Sequence, residues 1–126
     1  MKTYEEKQRE LENRTIDFSV NIINICGKYA NDTRLKPLIS QIIRSSTSVG
    51  ANYAEANNSS SKADFKNKIF IAKKEIAETR YWLKVLSRLI QGEDFTLLEN
   101  EAMQLNLILQ KIISTIKSKE NPENAK

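Results

Sequence analysis

The chain has 126 residues, a single cysteine, no histidine, only three glycines and two prolines, and a net charge of +4. That length suits one domain, and scarce chain breakers argue against a β-rich or loop-rich fold. One cysteine excludes an internal disulfide framework, and the absence of histidine removes the commonest general base and transition-metal ligand. Residues Met1 to Asn13 are charged and carry no apolar leader core. No apolar run approaches the roughly 20 residues of a membrane span. The expected location is the cytoplasm, with no membrane association.

Four segments show helical periodicity. In the first, Leu11, Thr15, Phe18, Ile22, Ile25 and Tyr29 fall at alternating steps of four and three, predicting a helix over 7–30. Cys26 lies beside that stripe, as a buried structural thiol would. The break Asn31-Asp32-Thr33 follows, with Asp32 or Thr33 as cap of a second helix over 34–57 and Pro37 near its first turn. Its seam is Leu35, Ile39, Ile42, Ser46, Val49 and Tyr53.

The stretch Asn57 to Ser61 separates it from a third helix over 61–91, capped by Ser60 or Ser61, with Asp64 in the first turn. The third seam is Phe65, Ile69, Ala72, Ile76, Thr79, Leu83, Leu86 and Ile90. Gly92 is the expected stop and Asp94 the start of a fourth helix over 94–118, whose seam is Leu98, Ala102, Leu105, Leu109, Ile112 and Ile116. The polar ends, about Met1–Glu6 and Lys119–Lys126, are expected to fray. Three short loops predict an all-α, antiparallel, up-down-up-down four-helix bundle forming one domain.

Catalytic chemistry is missing. There is no phosphate-cradling GxxxxGK[ST] or GxGxxG loop, no Glu-x-x-His pair for a di-iron bundle, and no Cys/His set for zinc. No enzyme, metal or cofactor is expected.

Charge is uneven. Residues 1–27 carry a net −1, residues 28–88 a net +7, and residues 89–126 a net −2. On the third helix Lys62, Lys66, Lys73, Arg80, Lys84 and Arg88 fall within an arc of roughly 80° at about 100° per residue. No acidic residue of that helix shares the arc. Such a ridge suits a polyanion, because each phosphate neutralised releases counterions. It equally suits a solubilising outer face. Phe70 and Tyr81 are the nearest aromatics, so base stacking is expected to be minor. Ile71, Trp82, Val85 and Leu89 widen the apolar arc of the same helix beyond what a monomer needs, which points to self-association.

The second helix carries a polar stripe of Arg44, Ser45, Ser48, Asn52 and Glu55. Two readings stand: a network fastening helices or subunits, with Arg44 and Glu55 as a bracketing pair, or direct contacts from Arg44, Ser48 and Asn52 to phosphate and sugar. The run Gln41 to Glu55 resembles the signature of the bacterial four helix bundle protein family, a Q-x-x-R-x-x-x-S-[IV]-x-x-N-x-[AV]-E pattern. Ser61 and Phe65 supply that family's next helix start, and Ala72, Glu78, Tyr81 and Leu83 resemble its following block. The family includes proteins encoded in intervening sequences of large-subunit ribosomal RNA genes and the accessory variability determinant of diversity-generating retroelements.

The resemblance implies an antiparallel bundle assembling into a homopentameric barrel. For the retroelement branch it implies a basic surface for RNA or DNA and a reverse-transcriptase partner. Ala56 stands where the family commonly has Gly, and Lys74-Glu75 replaces a Gly-Ser pair. The function expected is therefore a non-enzymatic, homo-oligomeric nucleic-acid-binding accessory protein. The alternative is an oligomeric protein–protein scaffold without a direct nucleic-acid role.

Overall fold

The computed structural model describes residues 1–121, so the part of the polar C-terminal end beyond Asn121 lies outside the described residues. Four helices follow one another: α1 (Tyr4–Gly27), α2 (Lys36–Asn57), α3 (Lys62–Leu89) and α4 (Thr96–Glu120). There is no strand among the described residues.

Local chemistry sets the ends. The helix expected from residue 7 begins at Tyr4, because Thr3 Oγ1 accepts from the Glu6 backbone N–H at 3.1 Å and Glu5 and Glu6 sit in the first turn. Asp32 does not cap α2 directly. Its Oδ1 accepts from the N–H groups of Arg34 (2.9 Å) and Leu35 (3.4 Å), closing the turn that delivers Leu35 into the core. Pro37 then falls in the first turn of α2, where its missing N–H costs nothing. Ser61 caps α3 through a 3.0 Å bond from the Asp64 N–H.

Gly92 is not the stop of α3, which ends at Leu89. Ile90 caps it and is buried, as is Phe95 before α4. The chain leaves the helix to bury these two side chains, and no glycine adopts a positive φ. Asp94 closes the following turn by accepting from the Thr96 N–H at 2.9 Å.

Each helix packs on its neighbours in sequence, and α1 also meets α4, so the four enclose one core. Phe18, Ile22, Ile42, Val49, Ile69, Ile76, Leu83, Leu86 and Leu105 are essentially inaccessible. Removing that much apolar surface from water is the main stabilising term. Cys26 is buried as a free thiol, and desolvation pushes its pKa up to about 11, with the Glu93 charge adding to the rise.

Polar pairs set the register between helices. On α1 and α2, Gln8 Nε2 donates to Asn57 Oδ1 at 2.8 Å, Asn57 Nδ2 donates to Glu12 Oε1 at 3.0 Å, and Ser19 Oγ donates to the Ser46 carbonyl at 3.2 Å. Gly50 is what brings these helices so close: a Cβ there would lie 2.5 Å from Thr15 Oγ1 and 2.9 Å from Thr15 Cβ. On α1 and α4, Arg14 forms a two-pronged pair with Glu101, both bonds 2.7 Å, and also reaches Gln104. At one end Tyr29 donates to Glu93 at 2.8 Å, with Lys28 3.4 Å away, linking the α1–α2 and α3–α4 loops. That hydrogen bond holds the Glu93 carboxyl below its usual range and raises the Tyr29 phenol.

Candidate nucleic-acid interface

The basic residues of α3 owe their common face to an unbroken helix. It runs 28 residues, about 42 Å at 1.5 Å per residue. Lys62, Lys84 and Arg88 are exposed, while Lys66, Lys73 and Arg80 are half-buried along their stems. Lys66 is already engaged, its Nζ lying 2.5 and 2.8 Å from the Glu120 carboxylate oxygens. Lys73, Arg80, Lys84 and Arg88 make no ion pair among the described residues. Glu99 and Asn100 of α4 share a hollow with Arg80 and Lys84, so a second carboxylate besides Glu120 borders the ridge. Tyr81, 61 % exposed, stands beside it with its ring edge-on to Trp82.

Arg44 is not brought to this ridge. Its guanidinium pairs with Glu75 at 3.2 Å and with Glu78, and its Nε donates to Gln41 at 3.2 Å. At about 100° per residue, Glu75 and Glu78 lie on the flank of α3 roughly opposite Lys73 and Arg80. The bracketing pair of Arg44 with Glu55 does not form. Eleven residues along one helix separate them by about 16 Å, and Glu55 pairs with Lys68 at 2.9 Å instead. That bond also raises the Lys68 pKa.

The rest of the polar stripe lies along the α2–α3 contact. Ser45 is wholly buried; Thr79 Oγ1 of α3 donates to its Oγ at 2.8 Å, and Ser45 in turn donates to the Ile42 carbonyl at 3.3 Å. Both hydroxyls are therefore satisfied away from water. Half-buried Asn52 spends its amide on the Ser48 carbonyl at 2.8 Å. That bond stays within α2; the contacts that clamp α2 to α3 are Ser45 with Thr79, Arg44 with Glu75 and Glu78, and Glu55 with Lys68.

Ile71, Trp82 and Val85 are half-buried and Leu89 is 37 % exposed. Trp82 packs against the core of its own chain and donates to Glu78 at 3.0 Å. Larger apolar exposures lie elsewhere. Ile16, Val20 and Ile23 of α1 are 55, 47 and 40 % exposed, and Leu97 and Leu107 of α4 are 82 and 60 %. The α1 residues repeat at steps of four and three, a second stripe that a wheel of the first helix contains and that sequence reasoning passed over. Among the described residues no acidic or thiol cluster could hold a metal ion, and no helix is long and apolar enough to cross a membrane.

An all-α, four-helix chain with a polar clamp between α2 and α3 and a cationic flank on α3 defines the class. The chain belongs to the 23S rRNA-intervening sequence protein family, whose model matches residues 7–111. Among solved structures it is similar to a protein of unknown function of the S23 ribosomal protein family from Bacteroides thetaiotaomicron VPI-5482. That protein is 38 % identical, the match covers 81 % of this chain and 96 % of that one, and the TM-score is 0.74. No curated protein matches the chain.

Proposed function

We propose that this is a non-enzymatic, cytoplasmic accessory protein that binds RNA or DNA through phosphate contacts along α3. Its four helices form an antiparallel, up-down-up-down subunit of a homopentamer, and a reverse transcriptase is the protein partner that the family resemblance suggests. The observation that carries the reading is the row Lys73, Arg80, Lys84 and Arg88 on one unbroken helix, without carboxylate partners in an ion pair among the described residues. Unspent cations held in line by a packed helix lose little entropy on meeting a charged backbone, and a symmetric oligomer multiplies the contacts. The exposed α1 stripe of Ile16, Val20 and Ile23 supports self-association more strongly than Trp82 does.

The test is a fluorescence-anisotropy titration with labelled single- and double-stranded RNA and DNA. Binding is expected, and the triple reversal Lys73→Glu, Arg80→Glu, Lys84→Glu is expected to abolish it while leaving helicity unchanged. Undiminished binding in the triple variant would remove the ridge from the account. A second reading, a protein–protein scaffold, is favoured by that same α1 stripe. It predicts a stable partner complex that nuclease treatment leaves intact and no nucleic-acid binding even at low salt.

A further inference from the structure

α1 and α4 form the sparsest of the four helix contacts. An open groove begins along that seam and continues past it, between the end of α4 and the α2–α3 loop with the first turn of α3. Three adjoining hollows, of about 360, 550 and 820 Å³, share Tyr4, Lys7, Tyr53, Phe65, Ile108, Ile112, Ile116 or Lys119 from one to the next. Ile108, Ile112 and Ile116 give its floor a four-residue repeat along α4, and Tyr4 and Leu11 form the α1 wall. From Ile108 to Lys119 the groove follows α4 for about 17 Å, the length of about three helical turns.

Its charge is one-sided. Lys7, Lys111 and Lys119 border the central hollow, and no carboxylate among the described residues does. The two carboxylates nearer its ends are spent: Glu10 pairs with Lys2 at 2.6 Å and Glu120 with Lys66 at 2.5 Å. Arg14 is taken by Glu101. Lys7 and Lys111 are exposed and make no ion pair among the described residues.

We propose that this groove docks an acidic amphipathic helix of a protein partner, with the partner's apolar stripe on the isoleucine floor and its flanking carboxylates on Lys7, Lys111 and Lys119. A floor of residues four apart accepts knobs at i, i+3, i+4 and i+7, the spacing of a helix laid in a groove. The opening along the groove's whole length would leave a single acyl chain half wet. A nucleic-acid strand finds one freely exposed ring to stack on, Tyr4 on the wall, and no row of them, since the floor is aliphatic and Tyr53 is 5 % exposed. The groove touches the α3 ridge only at Lys62, which lines its outermost hollow, and is clear of Lys73, Arg80 and Lys84, so the α3 triple reversal separates it from nucleic-acid binding.

The probe is a fluorescein-labelled 18-residue peptide with Leu at i, i+3/i+4 and i+7 and Glu on both flanks, titrated by anisotropy into the intact protein. A scrambled peptide of the same composition, a Glu-to-Lys version, sodium oleate and oligouridine RNA serve as comparisons. The amphipathic acidic peptide is expected to bind at least tenfold more tightly than the scrambled or the basic peptide. Lys7→Glu with Lys111→Glu, both at exposed positions, should weaken it at least tenfold with the helical circular dichroism unchanged. Ile112→Glu should abolish it, and the α3 triple reversal should leave it within twofold. The proposal is overturned by equal binding of the scrambled peptide, or by indifference to Lys7→Glu/Lys111→Glu. It is equally overturned by loss of binding in the α3 triple variant, or by displacement of the peptide from this groove by oleate or RNA at lower concentration than by unlabelled peptide.

Discussion

Replacing Gly50 by alanine should destabilise the protein, although alanine is the better helix former. In an open helix the exchange would gain about 1 kcal/mol. Here the new methyl would stand 2.5 Å from Thr15 Oγ1 and 2.9 Å from Thr15 Cβ. Rotating the Thr15 hydroxyl away relieves only the first contact, because Cβ is fixed to the α1 backbone. The helices must then part by about 0.6–1 Å to reach ordinary carbon contact distances. Overpacking of this kind costs about 1–3 kcal/mol. The separation also stretches the 3.2 Å Ser19–Ser46 bond, a loss of about 1 kcal/mol. Set against the helix gain, the net is a destabilisation of about 2 kcal/mol, or a fall in Tm of about 8 °C for a chain of this size.

Thermal and urea unfolding followed by circular dichroism measure it. Gly27→Ala is the control, since a Cβ there meets nothing within 4 Å, and it should be neutral or stabilising. In a Thr15→Gly background the obstructing atoms are gone, so Gly50→Ala should turn neutral or stabilising by up to about 1 kcal/mol. A rise in Tm for Gly50→Ala in the otherwise wild-type protein would refute the close-approach argument.

Two further outcomes follow from the buried groups. A double-mutant cycle of Ser45→Ala and Thr79→Val should show a coupling of about 1 kcal/mol by urea unfolding, because each single change leaves the other hydroxyl without its cross-helix partner. Additive effects would mean the α2–α3 bond contributes nothing. The Cys26 thiol, raised from 9.0 to about 11 by burial, binds its proton more tightly folded than unfolded. Its contribution is therefore fully present below pH 9 and is lost as pH rises toward 11, so Cys26→Ala should flatten the alkaline limb of the stability profile. At pH 8 the native thiol should react with a maleimide far more slowly than in urea.

Helix number and most of the core were legible because the apolar steps of four and three run through every segment, and the residues predicted at Phe18, Ile42, Ile76 and Leu105 are among the most buried. On α4 the expected seam fails at its end, where Ile113 enters the core and Ile112 and Ile116 stay half-buried. Boundaries were less so where the deciding group was a single side chain. Thr3 extends α1 by a cap, and Ile90 ends α3 by turning into the core before Gly92 is reached. The basic arc of α3 follows from its own periodicity alone. The fate of Arg44 does not, since it depends on Glu75 and Glu78 arriving from a different helix. Pairing Arg44 with Glu55 ignored the length of the helix between them. The groove between α1 and α4 was invisible for the same reason: its lysines and isoleucines come from segments about 100 residues apart.

The central claim, phosphate binding along α3, is tested most directly by the salt dependence of affinity for a duplex. If Lys73, Arg80, Lys84 and Arg88 each neutralise one phosphate, log K against log salt should have a slope near −4 for each subunit engaged, a loss of roughly 10²-fold between about 50 and 200 mM for one subunit and more for several. The triple reversal to Glu should remove that dependence along with the binding. An affinity that hardly changes with salt, or a slope unaltered by the triple reversal, would contradict the claim.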